Sequence, residues 1–382
     1  MSESDRHRHT SLARRFGQWV SGEAGPDSPG DSREPAPGRT GAGAADRAAR
    51  RWVDRDDVPH TRTWMSWPAS RSVWGGALGG VQRDIALIAR TIAAHEPVLM
   101  CARDEDAAAE ARAQCGPGVA VTGLIPTDDL WMRDTAPVFR RDASGGLDAV
   151  GLNFNGWGRK QEHRADARVA DLVAGYTGLP FGTASFVGEG GAVETDGDGT
   201  VMATESSLVN RNRNRGMSRD QVERAVLDAY GADRMIWVPG IKGRDITDDH
   251  IDVTARFVRP GVVMVQLPPP KRADAWAKDA REQFAVLSAA TDARGRRLEV
   301  IVVHGPDRVR SRKSAFVDSY LNFHLVNGAV ITAQFGDAVR DAEAARTLAA
   351  AFPGRQVVQL DVDRLMGGGG GIHCSTMHEP RP

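Results

Sequence analysis

Four short segments combine reactive side chains with turn-forming residues: WMRDTAP from 131, GEGGAVETDGDGT from 188, DITDDHID from 245 and GGGGGIHC from 367. Each lies beside an apolar run that reads as a strand, where a rigid scaffold tends to present functional groups. In the last, Gly367 to Gly371 lead into Ile372, His373 and Cys374. Backbone without Cβ atoms can approach a ligand closely, so Gly371 is a candidate binding position. A phosphate-cradling loop would need Lys-Ser or Lys-Thr after the glycines, and neither follows. The run is equally compatible with a loose glycine loop ahead of a structural cysteine.

Cys374 is the one cysteine in a reactive setting. Cys101 closes the apolar run from Val98 and reads as core, and Cys115 ends a helical pattern before GPG and reads as peripheral. A free thiol with a pKa of about 8.5 is only a few per cent thiolate at neutral pH, so a nucleophile needs a partner. His250 is the best candidate, with Asp248 and Asp249 before it and Asp252 after it. If the segment is extended, residues 248, 250 and 252 share a face and two carboxylates flank one imidazole. An exposed acidic turn with an incidental histidine fits the segment as well. Asp134 and Glu189 alone would be ordinary turn acids; the combination of a cysteine, a histidine and several acids is more telling than any one of them. No metal-ligand spacing occurs, so neither metal nor cofactor is expected.

The elements that must position these groups are short and numerous. Apolar runs at 98, 119, 136, 149, 200, 235, 262, 299, 329 and 356 predict strands. Val81, Ile85, Ile88 and Ile92 follow the spacing of one helical stripe. Ser218 and Gln221 form a capping-box pattern before a helix ending at Tyr230, with Gly231 as its stop. Further helices are expected over 272–289 and 338–351. Residues 1–50 contain almost no large aliphatic side chains beyond Leu12 and Val20 and read as a disordered leader. From 51 to 382 no Pro-, Gly- or Ser-rich linker divides the pattern, so one continuous α/β domain is expected; no sequence repeat is visible.

Composition bounds the function. Of 382 residues, 49 are Lys or Arg and 50 are Asp or Glu, so no global field recruits nucleic acid or an anionic membrane. No run approaches the roughly 20 apolar residues of a membrane span. Three cysteines at wide spacing exclude a disulfide framework, and a cytoplasmic location is expected.

The ordered segments VPHTRTWMSWP, WMRDTAPVFR, FNGWG, EGGAVETDGDGTVMATESSLVNRNRN, SYLNFHLVNGAVITAQFGD, FPGR and GGGGGIHC together resemble the agmatine deiminase and bacterial peptidylarginine deiminase family of the guanidine-modifying superfamily, from about 58 to 380. The resemblance implies an α/β-propeller (pentein) of strand–helix modules about a pseudo-fivefold axis. It implies Cys374 as nucleophile, His250 as general acid and base, Glu189 as the acid orienting it, Asp134 and Asp252 as guanidinium-binding carboxylates, and Trp131 as an aromatic wall. The implied reaction is hydrolysis of a small cationic guanidine, agmatine first, to a ureido product and ammonia without a cofactor; a homodimer is also implied. Two departures stand out. The family commonly has TDGH or TNGH with an acid four residues before the histidine; here ITDDH places Ile246 there and Asp249 at the glycine, with Asp248 as a compensating acid. Ala136 replaces the usual glycine of WMRDTGP. Peptidylarginine, free arginine, amidino transfer and a catalytically idle guanidine binder are the alternatives. A papain-like hydrolase is disfavoured, since its cysteine would precede its histidine.

Overall fold

The computed structural model describes residues 50–382. The expected leader lies outside them except for Arg50, whose guanidinium pairs with Asp233 at 2.6 Å. Seventeen strands follow: β1 (Trp52–Val53), β2 (His60–Ser66), β3 (Val98–Cys101), β4 (Val119–Thr122), β5 (Val138–Arg141), β6 (Leu147–Gly151), β7 (Phe181–Thr183), β8 (Val193–Thr195), β9 (Thr200–Thr204), β10 (Arg234–Val238), β11 (Ala255–Arg259), β12 (Val262–Leu267), β13 (Glu299–His304), β14 (His324–Val326), β15 (Ala329–Ala333), β16 (Gln356–Leu360) and β17 (Thr376–Pro380). The longer helices are α1 (Leu78–Ala93), α2 (Glu105–Cys115), α3 (Val169–Thr177), α4 (Arg219–Tyr230), α5 (Ala275–Ala289) and α6 (Ala338–Ala351).

The strands form five separate small sheets, and one pattern recurs in all of them. A strand pairs antiparallel with the next, a helix crosses over, and a third strand joins in parallel: β5-β6-α3-β7, β8-β9-α4-β10, β11-β12-α5-β13 and β14-β15-α6-β16. The fifth copy is split across the chain. β17 pairs antiparallel with β2, and β2 runs parallel to β3 after α1, with β4 added at the edge. The C-terminal strand thereby closes the N-terminal module. The module recurs without a legible sequence repeat because a half-buried strand and an amphipathic helix constrain side-chain class, not identity.

Local chemistry explains why these segments fold as they do. Val81, Ile85, Ile88 and Ile92 on α1 are fully buried, as one stripe requires. Ser218 and Gln221 complete both halves of the capping box, and Gly231 ends α4 in the left-handed region at φ 61°. α5 starts at Ala275, not 272, because the Asp274 carboxylate accepts from the Ala277 amide and caps it there. Cys115, expected at the periphery, is only 1% exposed, for α2 turns its last residue into the large core with α1.

Candidate active site

Each module delivers its reactive side chains from the segment just ahead of its first strand. Asp134 lies on the helical turn Met132–Thr135 before β5, and Glu189 immediately precedes the turn Gly190–Ala192 before β8. His250 and Asp252 begin the turn before β11, Asn322 precedes β14, and Cys374 precedes β17. Five chain-distant loops thus converge. Their side chains are nearly dry: Glu189 and Asp252 are fully buried, and Cys374 is 8% exposed.

Gly191 marks the centre of the site. A Cβ built there would stand 2.8 Å from Asp134 Oδ1, 2.9 Å from His250 Nδ1 and 3.2 Å from Asp252 Oδ2. The absence of a side chain lets two carboxylates and an imidazole close on the same stretch of backbone, leaving no room for even a methyl group. Asp134 is aimed by the Trp157 indole N–H, which donates to Oδ2 at 2.8 Å, and by the Gly191 amide, which donates to Oδ1 at 3.0 Å. Glu189 Oε2 stands 3.4 Å from His250 Nε2 and Asp134 Oδ1 stands 3.8 Å from Nδ1. Asn322 donates to Cys374 Sγ at 3.1 Å and to Asp252 Oδ2 at 3.3 Å, while Sγ lies 3.5 Å from Asp252 Oδ2.

Burial and charge set the protonation pattern. Burial raises Asp134 to about 6, with Glu189 and Asp252 adding to it against the pull of His250. Burial works against a charged His250, but Asp134, Glu189 and Asp252 outweigh it and lift the imidazole to about 9. Glu189 stays below its ordinary value despite burial because Arg213 and His250 hold it ionised. Burial, then Asp252 and Asp134, push the Cys374 thiol well above its usual range. The resting site therefore pairs an imidazolium with a thiol.

The expectations for Asp248 and the glycine run need correction. The stretch around 248 to 252 is not extended: Asp248 and Asp249 take φ of 62° and 72°, and a helical turn follows. The Asp248 carboxylate is consequently not among the groups around Gly191 and is occupied by Arg213 at 2.7 Å, Lys160 at 2.7 Å and Asn212 at 3.0 Å. The glycines are packed, not loose. A Cβ on Gly368 would strike the Trp74 ring at 2.4 Å, one on Gly370 the Trp131 ring at 2.5 Å, and one on Gly371 Asn322 at 2.6 Å. Trp131, 8% exposed and 5.9 Å from Trp74 between ring centroids, lies against that run, next to Cys374.

Several site residues carried no local signal. Arg213 donates from Nε to both Glu189 oxygens at 2.8 and 3.0 Å, fixing the acid that faces His250, yet in NRNRN nothing distinguishes it from its neighbours. Asn322, Trp157 and His373 lie inside quoted motifs but had no assigned role. Among the described residues, His60, Glu96 and His324 are near enough to share an ion, but Glu96 already binds His60 at 3.0 Å and Thr63 at 2.6 Å, and Thr63 contacts His324 at 2.8 Å. The atoms that face one another are thus already paired, while His324 Nδ1 on the far side of its ring has no hydrogen-bond partner among the described residues. A cavity of about 470 Å³ adjoins the catalytic turn, with Ile246, Asp249, Val253 and Gly369 in its wall.

The model of the Porphyromonas-type peptidyl-arginine deiminase family matches residues 53–380. The chain belongs to that family. It is similar to the agmatine deiminase of Stutzerimonas stutzeri, 36% identical over 357 residues, covering 85% of this chain and 94% of the relative. The agmatine deiminase of Pseudomonas aeruginosa is 33% identical over 356 residues, covering 85% and 94%. Among solved structures, the agmatine deiminase of Enterococcus faecalis superposes with a TM-score of 0.82 at 25% identity, over 91% of this chain and all of that one. No helix among the described residues is long and apolar enough to cross a membrane.

Proposed function

We propose that the protein hydrolyses agmatine to N-carbamoylputrescine and ammonia through a covalent thiouronium on Cys374, in one α/β-propeller domain whose five modules surround the site. The observation that carries this reading is the convergence of Asp134, His250 and Asp252 on the side-chain-free backbone of Gly191, with Cys374 beside Asp252. A guanidinium is flat, delocalised and permanently charged. Asp134 and Asp252 offer its nitrogens charge-assisted hydrogen bonds in a dry setting, and its charge offsets the repulsion between them.

Binding of the cation also lowers the cost of a thiolate next to Asp252. The sulfur then attacks the central carbon. His250, protonated in the resting site, gives its proton to the departing nitrogen, and ammonia leaves. Water next adds to the thiouronium carbon, its proton returns to His250, and the carbon–sulfur bond breaks to release the ureido product. Glu189, clamped by Arg213, keeps the ring oriented and favours its charged form. The alkyl chain runs past Trp131 toward the cavity bordered by Ile246. Measuring ammonia and ureido product with agmatine, arginine and an arginine peptide tests this: agmatine is turned over fastest, and Cys374→Ala abolishes product. Product at an unchanged rate from Cys374→Ala would reject the mechanism.

A further inference from the structure

If His250 is charged before the reaction begins, it cannot take the thiol proton, and that proton needs another acceptor. The nearest oxygen is Asp252 Oδ2, 3.5 Å from Cys374 Sγ. The same oxygen lies 2.7 Å from Nδ1 of His373, whose Nε2 lies 3.0 Å from Asp56 Oδ2. The residue preceding the nucleophile therefore bridges two carboxylates.

Neither protonation state suits that imidazole fully. Burial and the guanidiniums of Arg133 and Arg256 disfavour its cationic form, whereas two facing carboxylates call for two N–H donors. The neutral ring is therefore favoured, and one of its nitrogens is left to accept a proton while the other donates one. Beyond it, Asp56, Arg133, Glu194, Tyr230 and His378 line a small polar cavity of about 30 Å³. That is room for about two waters. Tyr230 is 3% exposed and its hydroxyl has no hydrogen-bond partner among the described residues; the same holds for Arg133 Nε and His378 Nδ1. Such orphaned groups around a cavity of this size mark a water site. Asp56 keeps 18% of its side chain exposed, an outlet to bulk solvent.

We propose that the thiol proton of Cys374 leaves through Asp252, His373 and Asp56 to water held against Tyr230 and Arg133, while His250 is reserved for ammonia. The inference rests on the hydrolytic reading above. The S–H bond breaks with its electron pair left on sulfur, and Asp252 takes the proton. Asp252 passes it to Nδ1 of a His373 that carries its own proton on Nε2, and the Nε2 proton moves to Asp56 and on to water. No redox partner is involved. The reverse transfer restores the thiol when product leaves.

The test follows proton release by stopped-flow with an indicator dye in weak buffer, alongside ammonia formation. The wild-type enzyme is expected to release a proton on binding agmatine before ammonia appears. His373→Asn and Asp56→Asn should slow that phase at least about tenfold, while agmatine affinity, measured calorimetrically in a Cys374→Ser background, changes less than about twofold. Asp56 has no contact with the thiol, so a merely structural effect at Cys374 would leave Asp56→Asn unchanged. Tyr230→Phe, which removes only the hydroxyl, should slow the phase by a smaller factor and guards against misfolding of the other two. Wild-type release rates in His373→Asn and Asp56→Asn would overturn the relay while leaving hydrolysis intact. A wild-type enzyme that yields no ureido product would instead reject the hydrolytic reading and the relay with it.

Discussion

Replacing Gly191 by alanine drives one methyl group against the three side chains proposed to hold and protonate the substrate. The new carbon would lie 2.8 Å from Asp134 Oδ1 and 2.9 Å from His250 Nδ1, closer than side-chain carbons tolerate, and 3.2 Å from Asp252 Oδ2, a tight contact. Its obstacles are side-chain atoms, so the fold can yield by local shifts, at about 1–3 kcal/mol for an overpacked site. The carboxylates cannot then close on a guanidinium. Hydrogen bonds to charged groups contribute about 1.5–3 kcal/mol each; losing two costs about 3–6 kcal/mol, which lowers kcat/KM by about 10²–10⁴-fold. The assay is ureido-product formation from agmatine, with thermal melting to show that Gly191→Ala still folds cooperatively. A folded variant retaining kcat/KM within about threefold of wild type would refute the placement of the substrate.

The pH profile of kcat/KM should be a bell. Asp134 must be ionised to bind the cation, so activity rises as pH passes about 6, and His250 must be protonated to release ammonia, so activity falls as pH passes about 9; a profile flat from 5 to 10, about five units, contradicts these roles. Arg213→Met leaves Glu189 and Asp248 buried without their guanidinium, and removing one partner of a buried pair costs about 3–5 kcal/mol, to be read by urea unfolding. Asn322→Ala removes the donor to the thiol and to Asp252, and should lower kcat about tenfold or more with little change in KM; an effect on KM alone would mean that Asn322 binds substrate instead.

What the sequence made legible was local. The caps of α4 and the stripe of α1 depend on residues within a few positions of one another, and both were readable. The parallel strands β10, β12, β13, β15 and β16 were visible as runs of Val, Ile and Met. β17, with the sequence TMHEP from Thr376 to Pro380, carries no such run and becomes a strand by pairing with β2 at the far end of the chain. The family motifs pointed to Cys374, His250, Glu189, Asp134 and Asp252, and the structure brings these five side chains together. Their partners were hidden for a physical reason: Arg213 reaches Glu189 only because the modules converge. The extended reading of Asp248 failed because two successive residues adopt left-handed conformations, which no periodicity reveals. The fivefold recurrence was expected only from the resemblance and not from any repeat in the sequence, since a repeated pattern of pairing survives after the residues have diverged.

The central claim is a covalent bond from sulfur to the guanidine carbon. Acid quench of the enzyme during turnover of agmatine, followed by peptide mass spectrometry, tests it directly. The account predicts that the peptide containing Cys374 gains the mass of agmatine less ammonia, and that Cys374→Ser shows no such gain and forms no product. Steady turnover with no adduct on Cys374 at any quench time, together with an active Cys374→Ser enzyme, would contradict it.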